Sequence, residues 1–418
     1  MRQKVVVAGG GASGLTAAIC AAKAGAQVTL IEQMESTGKK ILATGNGRCN
    51  YTNDFMDVSC FRGRHPEFCK ELIKQYGTKE ILDFFESLGI VPKCKGGYYY
   101  PYSMQALAVS EALEKGAKHL GVQIFCHEKV LKIHRKNGCF KMMTDRRTLT
   151  ADAVILSAGG KAAKKLGSDG SGYALAEGLG LKVTEIVPAL TGLKCKGRFF
   201  KSIAGVRIWA GISVYDDTVS SDISIEERQP LCRDTGELQL TSYGISGIPV
   251  FQVSRFASWA LNKGHKVRAI IDFMPEFDME RIREMIVRRI TLMSYKTAGE
   301  LFVGWLPQKL IHLFLSAAAI DDDAAAKNIP VEKISRLSFV LKHFEMEVTG
   351  TNTFDEAQVC AGGVDTEQIS PETMMAKWVP GLYVTGELLD IDGMCGGYNL
   401  HFAWASGMAA GKAAAKGV

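Results

Sequence analysis

The apolar positions of this chain switch between two periods, and the switches mark its elements. Lys4–Ala8 reads K-V-V-V-A, the continuous β-branched run of a parallel strand buried on both faces. Leu15, Ala18, Ile19 and Ala22 then recur at helical spacing, Gly25 stops the helix, and Gln27–Ile31 (Q-V-T-L-I) is a second strand ending at Glu32. Lys129–Ile133 (K-V-L-K-I) alternates as a strand, and Ala153–Leu156 is a short apolar one. Gly381–Glu387 reads as strand then turn, and Gly396-Gly397-Tyr398-Asn399-Leu400 opens a helix that runs to about Lys416. The pattern changes after Pro188. Residues 190–275 carry β-rich pieces such as Gly211–Tyr215 and Val267–Asp272, whereas 276–342 read as helices, with Met279, Ile282, Ile286 and Ile290 at helical spacing.

Between the first strand and helix lies Gly9-Gly10-Gly11-Ala12-Ser13-Gly14, a G-x-G-x-x-G. Gly9 permits the tight turn, Gly11 lets the backbone approach a pyrophosphate, and Gly14 allows the helix to pack closely on the strand. The helix N-terminus offers unpaired N–H groups and partial positive charge to the phosphates. Glu32, 18 residues past Gly14, is placed to accept hydrogen bonds from a ribose diol and to repel a 2′-phosphate. Strand, helix, second strand and terminal acid together predict dinucleotide binding, with a purely structural glycine turn as the alternative. This unit alone does not separate FAD from NAD.

The C-terminal stretch points to a flavin. Glu387, Asp390 and Asp392 at the turn can bind a ribityl chain, and the helix opening at Gly397 can face the side of a flavin where negative charge appears on reduction. Such a dipole contributes about 0.3–2 kcal/mol, and about 1.4 kcal/mol corresponds to 30 mV for a two-electron couple. The helix therefore adjusts a flavin by tens of millivolts and does not create its chemistry. A plain docking helix is the alternative reading of this stretch.

Composition narrows the class further. With 418 residues the chain is too long for one core and predicts two or three domains. The net charge of +6 is modest, so nucleic acid is not demanded. The stretches Lys194–Arg198 and Arg281–Arg289 read as solvated faces of a loop and a helix. Eleven scattered cysteines with no C-x-x-C argue against a disulfide framework, a zinc ribbon and a redox dithiol, and free thiols suit a reducing cytosol. The eight histidines lack metal spacing, so no metal site is expected. The N-terminal apolar stretch is broken by glycines and reads as strand and loop, not as a signal peptide. No run reaches about 18 apolar residues, so no membrane span is expected. The expectation is a cytoplasmic protein with a small-molecule substrate; oligomeric state is not encoded in these patterns.

Thr44-Gly45-Asn46-Gly47-Arg48-Cys49-Asn50, preceded by Gly38-Lys39-Lys40, resembles the T-G-x-G-R-C-N signature of the BaiN-like flavoproteins. These are also described as aminoacetone-oxidase-family FAD enzymes and as NAD(P)/FAD-dependent oxidoreductases. Gly362-Gly363-Val364 and the run Gly386-Glu387, Asp390, Gly393, Gly396-Gly397-Tyr398-Asn399 resemble that family's C-terminal motifs. The resemblance implies an α/β, Rossmann-like FAD domain of the two-dinucleotide-binding type, split by an insert made of a β-barrel-like part and a helical part. The expected boundaries are 1–188 and 351–418 for the FAD domain, 189–275 for the β-rich insert and 276–350 for the helical insert. It further implies FAD contacts from Gly9, Gly11, Ala12, Ser13, Gly14, Glu32, Lys40, Gly45, Arg48, Cys49, Val130, Ala158, Gly159, Gly160, Gly386, Glu387, Gly397, Asn399 and Leu400. The residues support some of these independently: Val130 begins a strand whose backbone can meet adenine, and Ala158-Gly159-Gly160 permits close approach after the apolar strand.

Two segments depart from the family pattern. Thr241–Gly247 resembles T-H-x-G-x-S-G with Ser242 where histidine is common, and its glycines suit a helix start. Tyr98-Tyr99-Tyr100-Pro101-Tyr102-Ser103 resembles G-R-x-F/Y-P-x-S with Tyr98 where arginine is usual. Those tyrosines either line an apolar site for a ring-shaped ligand or pack as a strand, with Ser103 capping the next helix. Asp321-Asp322-Asp323 reads as a helix start or a solvated face.

The leading functional reading is hydride transfer from NAD(P)H to the flavin and on to an electron-poor carbon. Named members of the resembled family suggest an enone in a steroid such as a 3-oxo-Δ4,6 bile acid. Tyr100 or Tyr243 is the candidate proton donor. A second complete G-x-G-x-x-G is absent, so the nicotinamide site is implied by the family only. Alternatives are an amine oxidase passing electrons to dioxygen, and an RNA-modifying flavoprotein using the basic stretches near Lys196 and Arg289.

Overall fold

The computed structural model describes residues 2–136, 138–218 and 228–417. The chain divides into two units, Met1–Pro188 with Phe354–Val418, and Ala189–Thr353.

The first unit is built on a five-stranded parallel sheet in the order Leu382–Val384, Ala153–Leu156, Lys4–Ala8, Gln27–Ile31, Gln123–Phe125. Val6 sits opposite Val154 on one side and Thr29 on the other. Both faces are covered, which is why Val5, Val6, Val7, Val154 and Ile155 are all buried and no polar alternation is seen. The first helix, Ala12–Lys23, and the last, Tyr398–Lys416, pack on each other and on this sheet. Their contact is backbone to backbone. A Cβ at Gly407 would lie 2.5 Å from the Ser13 carbonyl oxygen, and one at Gly411 would collide with the Ala17 carbonyl oxygen. In a side sheet of Val130–Lys136, Cys139–Thr144 and Thr148–Ala151, the middle strand alternates strictly and buries Phe140 and Met142, whereas a register shift between Val130 and Lys132 breaks the alternation expected of the first strand and buries Val130 and Ile133. A small antiparallel sheet places Tyr98–Pro101 between Thr52–Asn53 and Pro92–Lys95. The fold class is thus the Rossmann-like α/β type that the sequence predicts.

The second unit is a closed six-stranded barrel with helices. Its strands run Leu193–Cys195, Gly244–Gly247, Cys232–Thr241, Arg207–Asp216, Val267–Asp272, Phe344–Thr351, and the last pairs back with the first. The helix Ile248–Asn262 packs against five of these strands and buries Val250, Val253 and Ala257 in one core with Ile212, Leu238 and Ile271. The expected division of this stretch into a β-rich and a helical part is too simple. A 15-residue helix interrupts the β-rich portion, and the helical portion ends in the barrel strand Phe344–Thr351. Met279–Leu292 is a helix burying Ile282 and Ile286, as its spacing predicts.

Two local expectations are corrected. Gly244–Gly247 is a barrel strand rather than a helix start, with only Gly247 reaching the N-cap of Ile248–Asn262. Ser103 is not a cap; the helix Ala106–His119 begins after Gln105 without a side-chain cap. Of the two readings of Asp321-Asp322-Asp323 the solvated face stands: Asp321 and Asp323 are exposed in a loop, and Asp322 pairs with His312 at 2.8 Å.

The glycine contact between first and last helices yields a stability test. Gly411→Ala and Gly407→Ala are each expected to cost about 1–3 kcal/mol in urea denaturation, because nothing but backbone can yield. Gly178→Ala, at a helical glycine with open space around it, is expected to be neutral or to gain up to about 1 kcal/mol.

Candidate cofactor and active site

The turn after the first strand shows which glycines the protein itself needs. Gly9 has φ of +110°, and a Cβ there would collide with the Ser157 carbonyl oxygen; one at Gly14 would collide with the Gly9 carbonyl oxygen. Gly11 differs, since a Cβ there would meet nothing within 4 Å. Gly11 is also the N-cap of Ala12–Lys23, with no side-chain cap and no acid in the first turn. A helix tip with open amides, no competing carboxylate and free space beside it fits a pyrophosphate. Ala12 and Ser13 supply the first amides of that tip.

Glu32 stands at the end of the second strand and is buried. Its Oε2 accepts from the Gly10 amide and its Oε1 from the Met34 amide, both at 2.7 Å. Burial pushes its pKa up while those amides pull it down. Two amides hold the carboxylate in place and leave lone pairs for a diol. Val130 begins the side-sheet strand, buried, beside Glu128, whose amide donates to the Glu32 carbonyl.

The opposite end of the site is polar and crowded around Gly160. Lys40 and Glu387 form an ion pair at 2.6 Å, and Lys40 also donates to the Ala162 carbonyl at 3.2 Å. Glu387 Oε1 accepts from the Cys360 amide at 3.0 Å. A Cβ at Gly160 would lie 2.9 Å from Glu387 Oε1, 3.0 Å from the Tyr173 hydroxyl and 3.3 Å from Cys360 Sγ. Gly159, with φ of +71°, turns the chain here after Ala158. Burial pushes the Cys360 thiol up to about 12 and the Tyr173 phenol well above its usual value, so both stay uncharged. The pair Lys40–Glu387 thus supplies the local charge.

The Thr44–Asn50 motif is a tight loop. Gly45, Asn46, Gly47 and Cys49 all have φ between +53° and +79°, and the Cys49 amide donates to the Thr44 carbonyl at 3.1 Å. Non-glycine residues in this region cost energy and cluster at functional sites. Gly45 and Arg48 are exposed, whereas Cys49 is buried and its thiol is pushed up to about 12. The buried Asn50 Oδ1 has no hydrogen-bond partner and lies 2.9 Å from where a Cβ of Gly397 would sit.

Gly397, with φ of +94°, opens Tyr398–Lys416 without a side-chain cap. Asn399 clamps the preceding loop by accepting from the Gly393 amide and donating to its carbonyl, both at 2.8 Å. Leu400 follows in the first turn, half-buried. Gly386, with φ of +64°, donates its amide to Ser406 Oγ at 3.0 Å, and a Cβ there would lie 2.6 Å from Ser13 Oγ. The N- and C-terminal motifs are therefore interlocked. The orphaned Asn50 oxygen, the uncapped tip and the open side of Gly11 all fit a flavin dinucleotide. The anticipated contacts fall at both helix tips, around Gly160 and in the Thr44–Asn50 loop.

Of the two proton-donor candidates, Tyr100 belongs to this unit. Its ring lies near Gly45, and burial raises its phenol pKa while Arg48 lowers it. Tyr243 lies in the barrel unit, where its hydroxyl accepts from Asn352 Nδ2 at 3.1 Å.

Sequence reasoning passed over Cys360 and His401, and it took Tyr173 only as the end of the glycine-rich turn Gly167–Tyr173, which resembles a family motif. His401 is buried, with Nδ1 2.8 Å from Thr52 Oγ1 and Nε2 3.0 Å from the Tyr76 carbonyl. The carbonyl can only accept, so Nε2 carries the proton and Nδ1 accepts from Thr52. Its place four residues past Gly397 was the available signal. The fold also gathers His65, Asp365 and Glu367, with His65 Nε2 3.3 Å from Glu367 and Nδ1 3.4 Å from Glu67. Among the described residues no helix is long and apolar enough to cross a membrane.

An uncapped helix tip after a glycine turn, an acid closing the second strand and a second uncapped tip from the C-terminal stretch are the arrangement of the Rossmann-type FAD-dependent oxidoreductases. Within that class, a family model described as "HI0933-like protein Rossmann domain" matches residues 3–413, and the chain belongs to that family. A 3-dehydro-bile acid delta(4,6)-reductase of Clostridium scindens is 45% identical over 415 residues, covering 99% of each chain. Ribosomal RNA dihydrouridine synthases are more distant. That of Escherichia coli is 28% identical over 98% of this chain and 97% of that protein. That of Haemophilus influenzae is 27% identical over 97% and 96%.

Two measurements test the site. Gly11→Val is expected to leave the stability of the flavin-free protein within about 0.5 kcal/mol yet weaken FAD binding at least about tenfold, read by flavin fluorescence. The burial of His401 lowers its pKa from 6.5 to about 4. The folded state thus resists protonation, so its contribution is complete above pH 6.5 and is lost as pH falls towards 4. The loss is on the order of 3 kcal/mol, and urea midpoints across that window should show it in the wild type and not in His401→Gln.

Proposed function

We propose that this protein reduces a carbon–carbon double bond conjugated to a carbonyl in a small polycyclic enone, such as a 3-oxo-Δ4,6 bile acid or steroid, with NAD(P)H as reductant. The observation that carries this reading is the end-to-end likeness to the bile acid reductase, at 45% identity; two uncapped helix tips and the orphaned Asn50 oxygen, which suit FAD, support it. When bound, FAD supplies a two-electron carrier that accepts and donates hydride.

The chain's part is to bind, orient and protonate. Backbone amides at Gly11–Ser13 hold the pyrophosphate, and Glu32 holds the adenosine ribose. Lys40 pairs with Glu387, whose Oε1 is the charged atom beside Gly160, so the pair offers a donor and an acceptor there without net charge. Tyr100 is the proposed proton donor: burial raises its phenol pKa, so its Oη keeps the proton needed by the carbon next to the one that receives hydride. Tyr243, already engaged by Asn352, is the second choice.

The relatives named as ribosomal RNA dihydrouridine synthases favour a second reading. Dihydrouridine is uridine with its conjugated ring double bond reduced, so the chemistry is shared and only the carrier differs. Against it, the basic stretches are partly spent within the protein. Lys196 pairs with Glu347, Arg281 with Glu284, and Arg289 donates to the carbonyls of Leu301 and Val303.

Anaerobic stopped-flow on the FAD-loaded protein separates the readings. NADH or NADPH is expected to bleach the flavin, and a steroid enone to restore its colour. No bleaching by either nucleotide sinks the proposal. Peroxide release with an amine, without NAD(P)H, would turn it to an amine oxidase, and salt-sensitive reoxidation by uridine-containing RNA would favour the second reading. Tyr100→Phe is expected to slow the enone half-reaction by about 10²-fold.

A further inference from the structure

The three-stranded sheet carries its central strand, Tyr98–Pro101, past both cofactor loops. Strand alternation puts Tyr98 and Tyr100 on one face and Tyr99 and Pro101 on the other. The second face is accounted for: Pro101 is buried, and Tyr99 shares a hydrogen bond with Asp54. The first face is not. Tyr98 is 41% exposed. Its Cε1 would lie 3.1 Å from a Cβ at Gly396, the residue before the tip of the last helix, and Tyr100 Cε1 would lie 3.9 Å from a Cβ at Gly45. The two rings therefore run from one cofactor loop to the other, and each is close to a glycine whose missing side chain leaves the ring uncovered.

The geometry points to Tyr98 as a specificity residue: with Tyr100 it forms an aromatic wall that takes the flat, uncharged ring system of the substrate beside the flavin. This rests on the enone reading and names what that reading leaves open, the surface that recognises the fused rings. Ring faces stack on flat conjugated systems and make large apolar contact with little side-chain entropy to lose. The charged side chain that influences Tyr100 is Arg48. Cations also border the wall, since Lys95 stands cross-strand from Tyr98 and Lys93 from Tyr100, and they suit an acidic group carried at the edge of the ring system. Tyr102, the next tyrosine on that side, is turned to solvent at 65% exposure and lies under the Lys93 ammonium at 5.1 Å. It is a control.

The test is a titration of the oxidised, FAD-loaded protein with a steroid enone in the absence of nicotinamide, followed by perturbation of the flavin's visible spectrum. Tyr98→Ala is expected to weaken binding at least about tenfold. Tyr98→Phe, which keeps the ring, should bind like the wild type, and Tyr102→Ala should change nothing. If Tyr98→Ala loses its flavin, Tyr98→Leu carries the same test with bulk retained and the flat ring removed. Wild-type affinity in the ring-less variant overturns the proposal, as does Tyr98→Phe binding as weakly as Tyr98→Ala. A wild type blind to the enone overturns the enone reading itself and this wall with it. A wild type that responds to the enone while the variants are unaltered overturns the wall alone.

Discussion

The cofactor half depends on two helices, from opposite ends of the chain, touching backbone to backbone. Ala12–Lys23 and Tyr398–Lys416 meet through Gly407 and Gly411, where any side chain would strike a carbonyl of the partner helix. Gly386 in turn lies against the Ser13 side chain, where a Cβ would sit 2.6 Å from Oγ. This contact fixes both helix tips relative to the sheet, so the phosphate end and the flavin end of the site are positioned by one interface. Closing a loop costs only about 0.6 kcal/mol per doubling of its length. The whole barrel unit can therefore be carried between the two ends, provided the glycine contact is intact.

Burial in the cofactor half leaves its thiols, one phenol and one imidazole uncharged. Cys49, Cys360 and Tyr173 are held protonated, and His401 is held neutral with both nitrogens engaged. Against that background the fixed charges are the buried carboxylates of Glu32, Asp390 and Asp392, the Lys40–Glu387 pair and the partial charges of two uncapped helix tips, each of which counts for more away from water. Preorganised dipoles of this kind suit a ligand that is anionic at its phosphates and gains negative charge on reduction. The catalytic options then narrow to neutral donors, which is why a tyrosine hydroxyl is a coherent source of the proton.

The sequence made the cofactor half legible because its signals are local. A β-branched run, a glycine turn and an acid 18 residues on are each read within a few residues, and the second tip repeats that logic at Gly397. The same locality explains what was misread. Ser103 looks like a cap, yet Gln105 precedes the helix. Thr241–Gly247 looks like a helix start, yet it pairs into the barrel through Leu193 and Leu238. The closing strand Phe344–Thr351 has an alternating pattern, but its partners Val267–Asp272 and Leu193–Cys195 lie about 80 and 150 residues earlier. Such pairings leave no periodic trace. Cys360 escaped notice for a related reason: it belongs to no motif, and its meeting with Tyr173 at Gly160 is purely tertiary.

Two relatives' names describe reduction of a uridine ring in RNA and one describes reduction of a bile acid, so a single scaffold must serve substrates of very different charge. Saturating a conjugated double bond asks the same of the flavin in both cases. What must differ is the surface that admits the rest of the molecule. A polyanion is held by cations that stay free in the folded protein, whereas here Lys196, Arg281 and Arg289 are engaged by acids or carbonyls. Where the resembled family pattern carries arginine and histidine, this chain has Tyr98 and Ser242, both neutral. One arginine and one histidine fewer, with a half-exposed ring between the cofactor loops, shift the balance from phosphate recognition towards stacking. The discrimination then lies in desolvation: a fused hydrocarbon gains by leaving water for an aromatic wall, whereas a phosphodiester would lose hydration there without recovering it.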